Sequence, residues 1–136
     1  MVNSLFYGPR ATRWVAWVLS FEGGAVVREP GDRYSKYGVT RATEAQARAV
    51  TLFEARVIAW QHVMWIWRTF PEIRRYPRTF VRLLDFSWHA GRAAARRIYG
   101  GGGRAHLADR ILQFYRSLWA RPKYRRYRQG LSLIHI

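Results

Sequence analysis

Glu22 is the residue whose setting most clearly suits it to chemistry. It closes an apolar run of Trp14, Val15, Trp17, Val18 and Phe21, and is followed at once by Gly23 and Gly24. The run has the spacing of an amphipathic helix over residues 10–21, and the glycine pair ends it. A carboxylate at that end faces the partial negative charge of a helix C-terminus, and Val18 and Phe21 solvate it poorly. Both effects disfavour the ionised form. A carboxyl group still protonated near neutral pH is a general acid, able to pass its proton to a glycosidic oxygen. The two glycines leave room for a bulky polymer beside the backbone. Taken by itself, Glu-Gly-Gly is also an ordinary helix stop.

Such an acid needs a second group, either to position water or to stabilise developing positive charge. Glu29 and Asp32 are the carboxylate candidates, with solvated loop acids as the competing reading. Ser35 either holds the attacking water or caps a turn. Asp85, flanked by Leu84 and Phe86, reads as a structural acid paired with an arginine rather than as a catalytic one. His89 reads more readily as a satisfied, partly buried histidine than as a base. Most of the seven tryptophans belong to the core; Trp65 and Trp88 are the two that can stack on a sugar face. The four histidines show no metal-ligand spacing, so neither a metal nor a cofactor is expected.

Several elements must position these groups. Pro30, Gly31, Gly38 and clustered polar residues make residues 25–39 a loop or a small irregular hairpin. Thr43-x-x-Gln46 and Thr51-x-x-Glu54 have the form of capping boxes. The first opens a short helix and the second a longer one, to about Trp67. After Pro71 and Pro77, a helix over residues 78–98 presents Phe80, Leu83, Leu84, Ser87, Trp88 and Gly91 on one face. Gly100 to Gly103 form a flexible break. Leu107, Ile111, Phe114, Tyr115 and Leu118 mark a last helix, stopped near Pro122. Five helices and one non-helical excursion predict an all-α domain.

The chain has 136 residues, 49% hydrophobic and 16% aromatic, which suits one domain with a packed core. Cysteine is absent, which excludes disulfides and thiolate chemistry. Twenty-four Lys and Arg against eight Asp and Glu give a net charge of +16. That charge calls for a polyanionic partner or counterions. Anionic wall polymers, a membrane surface and nucleic acid all qualify, beside the bland reading of a solvated basic surface. A basic helical nucleic-acid-binding protein is therefore the runner-up. Against it, the arginines scatter and no helix shows a basic face with base-reading polar residues, so no specific nucleic acid is expected.

Val18 to Gly24, then Glu29-Pro30-Gly31 and Lys36-Tyr37-Gly38-Val39-Thr40, resemble glycoside hydrolase family 108, whose signature runs hEGGy, a DPGG-type turn and TxxGIT. The likeness continues in Thr51-Leu52-Phe53-Glu54-Ala55 (LTxxEA), and in Leu84-Asp85-Phe86-Ser87-Trp88-His89-Ala90-Gly91 (fDxavNxG). It ends in the segment from Arg110 to Leu118 (RxxfYxxL) and in Gly130. These segments, in order, span about residues 14–130. The resemblance implies a lysozyme-like helical fold acting on the β-1,4 bond between N-acetylmuramic acid and N-acetylglucosamine. It also implies a peptidoglycan substrate and a phage or prophage endolysin type, with the family's catalytic glutamate falling on Glu22. Tyr37, Thr40, Trp65, Trp88 and His89 are then expected at the glycan. Departures fall around the second group. The aromatic after Glu-Gly-Gly is Ala25, the glycine-rich turn is shortened, Ser35 stands near the family's threonine, and His89 replaces its asparagine. A catalytically inactive wall-binding relic is a third reading.

Residues 1–130 are expected to form this domain. The tail Leu131-Ser132-Leu133-Ile134-His135-Ile136 reads as the translation of CTGTCTCTTATACACATC, which looks like a mosaic-end sequencing adaptor, and is expected to be non-native. No charged-then-apolar leader opens the chain, and no stretch is apolar enough to span a membrane. A monomer made in the bacterial cytoplasm, reaching the wall through a holin or by lysis, is the expectation.

Overall fold

The computed structural model describes residues 9–20, 23–29 and 31–121. The chain divides into two compact units, Met1–Glu72 and Ile73–Ile136. The described residues are mostly helical, with six α-helices, but they also hold a three-stranded antiparallel sheet. The all-α expectation is corrected by that sheet.

In the first unit, α1 (Pro9–Ser20) packs along α3 (Leu52–Thr69). Trp14 and Val18 are its buried contacts, and the Trp14 and Trp67 rings meet at 6.5 Å, tilted by 44°. On α3 the buried residues Ala55, Ala59, His62, Val63, Ile66 and Trp67 repeat at helical spacing. Ala55 joins Val39 and Val50 in a small core covered by Leu19, Tyr37 and Ile58. Burying each of those valines is worth about 1.5–3 kcal/mol. This cluster ties the end of α1, the sheet and the start of α3 together.

The sheet follows the order β1 (Val27–Glu29), β2 (Arg33–Lys36), β3 (Val39–Arg41). Its strands are too short for alternation to show in the sequence, which is why the segment reads only as a loop or a small irregular hairpin. The turns instead carry the signal. Lys36 pairs with Val39, so Tyr37 (φ 54) and Gly38 (φ 78) form a two-residue turn with both centres in the left-handed region. α2 (Glu44–Arg48) packs on β2 and β3. Thr43 and Thr51 cap α2 and α3 as their spacing predicts, accepting from the Gln46 and Glu54 amides at 3.2 and 3.1 Å. Glu54 uses its carboxylate elsewhere, taking a 2.9 Å bond from Arg41 Nη2.

A 3-10 helix (Pro71–Arg75) leads into the second unit. The single helix expected over residues 78–98 is two, α4 (Pro77–Ala90) and α5 (Arg92–Gly100). Gly91 separates them because its φ of 96° lies outside the helical region, and it ends one helix while starting the next. α6 (Leu107–Trp119) follows as predicted. Phe86 meets Phe114 and Tyr115 edge-on at 5.1 and 5.6 Å, and Tyr115 stacks on Trp119 at 5.9 Å. The glycine run between α5 and α6 is a closed turn rather than a free break. Arg110 donates to the carbonyls of Ile98 at 2.9 Å and Gly103 at 2.6 Å, and also to Ala105.

Candidate active site

Phe21 and Glu22 lie outside the described residues, as do Pro30 and the tail from residue 122. The chain on either side of position 22 is described. α1 ends at Ser20, whose hydroxyl donates to Trp17 O at 2.6 Å. Gly23 O then accepts from the Tyr37 amide at 3.2 Å. A side-chain carbon on Gly24 would lie 3.3 Å from Tyr37 Oη and 3.4 Å from its ring. The second glycine of the pair is therefore where the phenol ring needs clearance, and Tyr37 holds this segment against the β2–β3 turn. Lys36 Nζ lies 5.5 Å from the same ring and donates to Arg48 O at 3.0 Å, which braces the turn from α2.

Strand register decides which polar groups meet. Val27, Ser35 and Thr40 stand directly opposite one another across the three strands, so they share a face, and Glu29 joins it two residues beyond Val27. The opposite face carries Val39 into the core. On the shared face Ser35 Oγ donates to Glu29 Oε1 at 2.7 Å. Ser35 is only 6% exposed, while Glu29 is half-buried and Thr40 is exposed. A buried hydroxyl thus fixes one carboxylate oxygen and leaves the other directed by the same rigid geometry. A carboxylate with a neighbouring hydroxyl can hold a water molecule, accept its proton, or stabilise a cation above the sheet.

Asp32 does not join this pair. It sits at the tip of the β1–β2 connection with φ 57, pairs with Arg28, and has a side chain 77% exposed. Trp65, half-buried on α3, stacks on His62 at 5.6 Å and meets Phe70 edge-on at the same distance. Packing already takes up part of its ring surface.

Trp88 and His89 belong to the second unit, and Trp88 is half-buried there. His89 is also largely buried, with Nδ1 2.9 Å from Asp85 O and 3.3 Å from Asp85 Oδ1. Asp85 is 6% exposed. Burial, and then the charge of Asp85, push the Tyr115 phenol well above the ordinary tyrosine range. A surface depression along α6, lined by Asp109, Leu112, Gln113, Arg116 and Ser117, includes none of the candidate catalytic or glycan-binding residues, though four of the five fall in the Arg110–Leu118 segment. Among the described residues no cluster of three His, Asp or Glu is placed to hold a metal ion, and no helix is long and apolar enough to cross a membrane.

Two features had no legible signal. The approach of Tyr37 to Gly24 joins residues far apart in sequence, and the Glu29–Ser35 bond depends on register, which three-residue strands do not announce. No protein-family model, no curated protein and no solved structure matches the chain.

Proposed function

We propose that the chain hydrolyses peptidoglycan, cleaving the β-1,4 bond between N-acetylmuramic acid and N-acetylglucosamine, with Glu22 as general acid. The observation that carries this reading is the Glu29–Ser35 pair at 2.7 Å, on a sheet whose turn is bonded to Gly23, the residue after the proposed acid. Glu22 passes its proton to the leaving glycosidic oxygen. The Glu29 carboxylate, aligned by Ser35, serves the opposite side of the bond, either taking a proton from water or facing the oxocarbenium centre. A carboxyl separation of about 6.5–9.5 Å gives inversion and about 5–5.5 Å gives retention, so the anomer released reports which role Glu29 takes. Thr40, exposed on the same face, and Tyr37 at the turn contact the glycan. The protein is made in the bacterial cytoplasm and meets the wall through a holin or on lysis.

Muropeptide release from purified sacculi tests this directly. Glu22→Gln keeps the shape but removes the transferable proton, and is expected to lower the rate by about two to four orders of magnitude. Glu29→Gln should cost about a hundredfold, and Ser35→Ala less, because it only orients its partner. Asp32→Asn should be nearly silent. A Glu22→Gln protein that digests sacculi as fast as the parent rejects the mechanism. A parent that binds sacculi and releases nothing is a wall-binding remnant.

A further inference from the structure

The net charge is unevenly divided. Met1–Glu72 carries nine Arg and Lys against six Asp and Glu, whereas Ile73–Ile136 carries fifteen against two. One part of the second unit concentrates this excess. Arg75 ends the 3-10 helix, and Arg78 and Arg82 stand one turn apart on α4, with a rise of about 6 Å between them. All three are exposed. Between Arg75 and Arg78 lies Tyr76, 37% exposed, and the Arg104 guanidinium rests 3.4 Å above its ring. That stacking sets a fourth guanidinium, from the segment before α6, on the residue between Arg75 and Arg78 in the chain. No acid occurs from Ile73 to Leu84. The one acid on the 3-10 helix is Glu72. Within the unit, Asp85 is buried against His89, and Asp109 lies 3.6 Å from His106.

We propose that Arg75, Arg78, Arg82 and Arg104 form an anchoring surface for a phosphodiester polyanion, and that its natural ligand is the phosphodiester polymer of the cell wall. Guanidinium groups fork onto phosphate oxygens and keep their charge at any physiological pH. The cluster suits a charged polymer better than a bilayer. Apart from Tyr76, the exposed large apolar side chains among the described residues are Val27, Leu52, Phe53, Val57 and Leu112, none of which belongs to it. It also lacks a base-reading surface, since Pro77, Thr79 and Val81 separate the arginines along α4 and offer no paired donors and acceptors. Choosing a wall polymer over nucleic acid rests on the hydrolase reading above. The anchor would keep the enzyme at its insoluble substrate between cuts.

The test compares three full-length proteins of matched fold by circular dichroism: the parent, Arg75→Gln/Arg78→Gln/Arg82→Gln, and Arg13→Gln/Arg56→Gln/Arg68→Gln. The last removes the same charge from exposed positions of the first unit. Binding is measured on sacculi bearing glycerol-phosphate or ribitol-phosphate polymer, on sacculi stripped of it by hydrofluoric acid, and on single-stranded DNA. The cluster variant should lose at least tenfold in affinity for polymer-bearing sacculi. Its log–log salt slope should fall by about two, near the ~0.7 expected per lost phosphate contact. The first-unit variant should stay within about threefold of the parent, and stripped sacculi should bind all three alike. Equal losses in the two variants would mean that net charge alone acts. Indifference to stripping would remove the phosphodiester polymer as ligand, and tighter binding to DNA at equal salt would make nucleic acid the partner; each overturns the proposal. Muropeptide release from stripped sacculi reads the hydrolase separately: if it is nil while polymer binding behaves as expected, the anchor stands and the enzyme does not.

Discussion

The two units solve opposite electrostatic problems. In the first, acids and bases are close in number and meet as pairs: Arg28 with Asp32, Arg41 with Glu54, Arg48 with Glu44. These pairs are mostly exposed, each worth at most about 1 kcal/mol and screened by salt. None of them takes up Glu29, which stands opposite Arg33 across the strands and accepts from the Ser35 hydroxyl. In the second unit, two acids face fifteen bases. Its helices must stay packed against their own repulsion, and the interlocked Phe86, Phe114, Tyr115 and Trp119 rings supply the cohesion. One unit pairs much of its charge, and the other carries it in excess.

Removing the aromatic cohesion should give the largest stability effect. Phe86→Ala is expected to cost about 3–5 kcal/mol in urea unfolding. Because salt screens the repulsion that both proteins share, parent and Phe86→Ala should each gain stability as salt rises, with the deficit between them little changed. Stability that does not rise with salt in either protein would break the contrast between the units. Arg110→Met comes next. It keeps the aliphatic stem but withdraws bonds from the Ile98, Gly103 and Ala105 carbonyls, and should cost about 1–3 kcal/mol. In the first unit, Thr51→Ala removes only the cap on α3 and should cost about 1 kcal/mol, nearly independent of salt.

The smallest effect is a pH dependence. Tyr115 titrates higher folded than unfolded, so its contribution is complete below the unfolded value near 10 and is lost as pH rises above it. An ultraviolet titration should find one phenol that ionises only with unfolding, and Tyr115→Phe should remove it from the curve. A Tyr115 that ionises with the exposed tyrosines would show that the aromatic core is open to water.

Where local chemistry dictates local structure, the sequence was readable. The Thr43 and Thr51 caps, the apolar stripe of α6 and the helix stop near Gly23 all depend on neighbours within a turn or two. Apolar spacing over residues 78–98 runs through Gly91 and predicts one helix where there are two, because spacing carries no information about φ. A hairpin at residues 25–39 is legible from its turn residues, but a three-stranded sheet is not, because each strand is three or four residues long. For the candidate site, residue types pointed to Glu29, Asp32 and Ser35 together. Only register separates them, setting Ser35 diagonal to Glu29 and sending Asp32 to Arg28 at the hairpin tip.

Four consecutive glycines would ordinarily invite a designer to graft an epitope, a fluorophore or a cleavage site between α5 and α6. The Arg110 clasp argues against it. Its guanidinium spans the loop from Ile98 to Ala105, and a side-chain carbon at Gly102 would lie 2.7 Å from Arg110 Nη1. Added residues would lengthen the rim while the clasp stays the same size, so a graft there would have to break the bonds that close the turn.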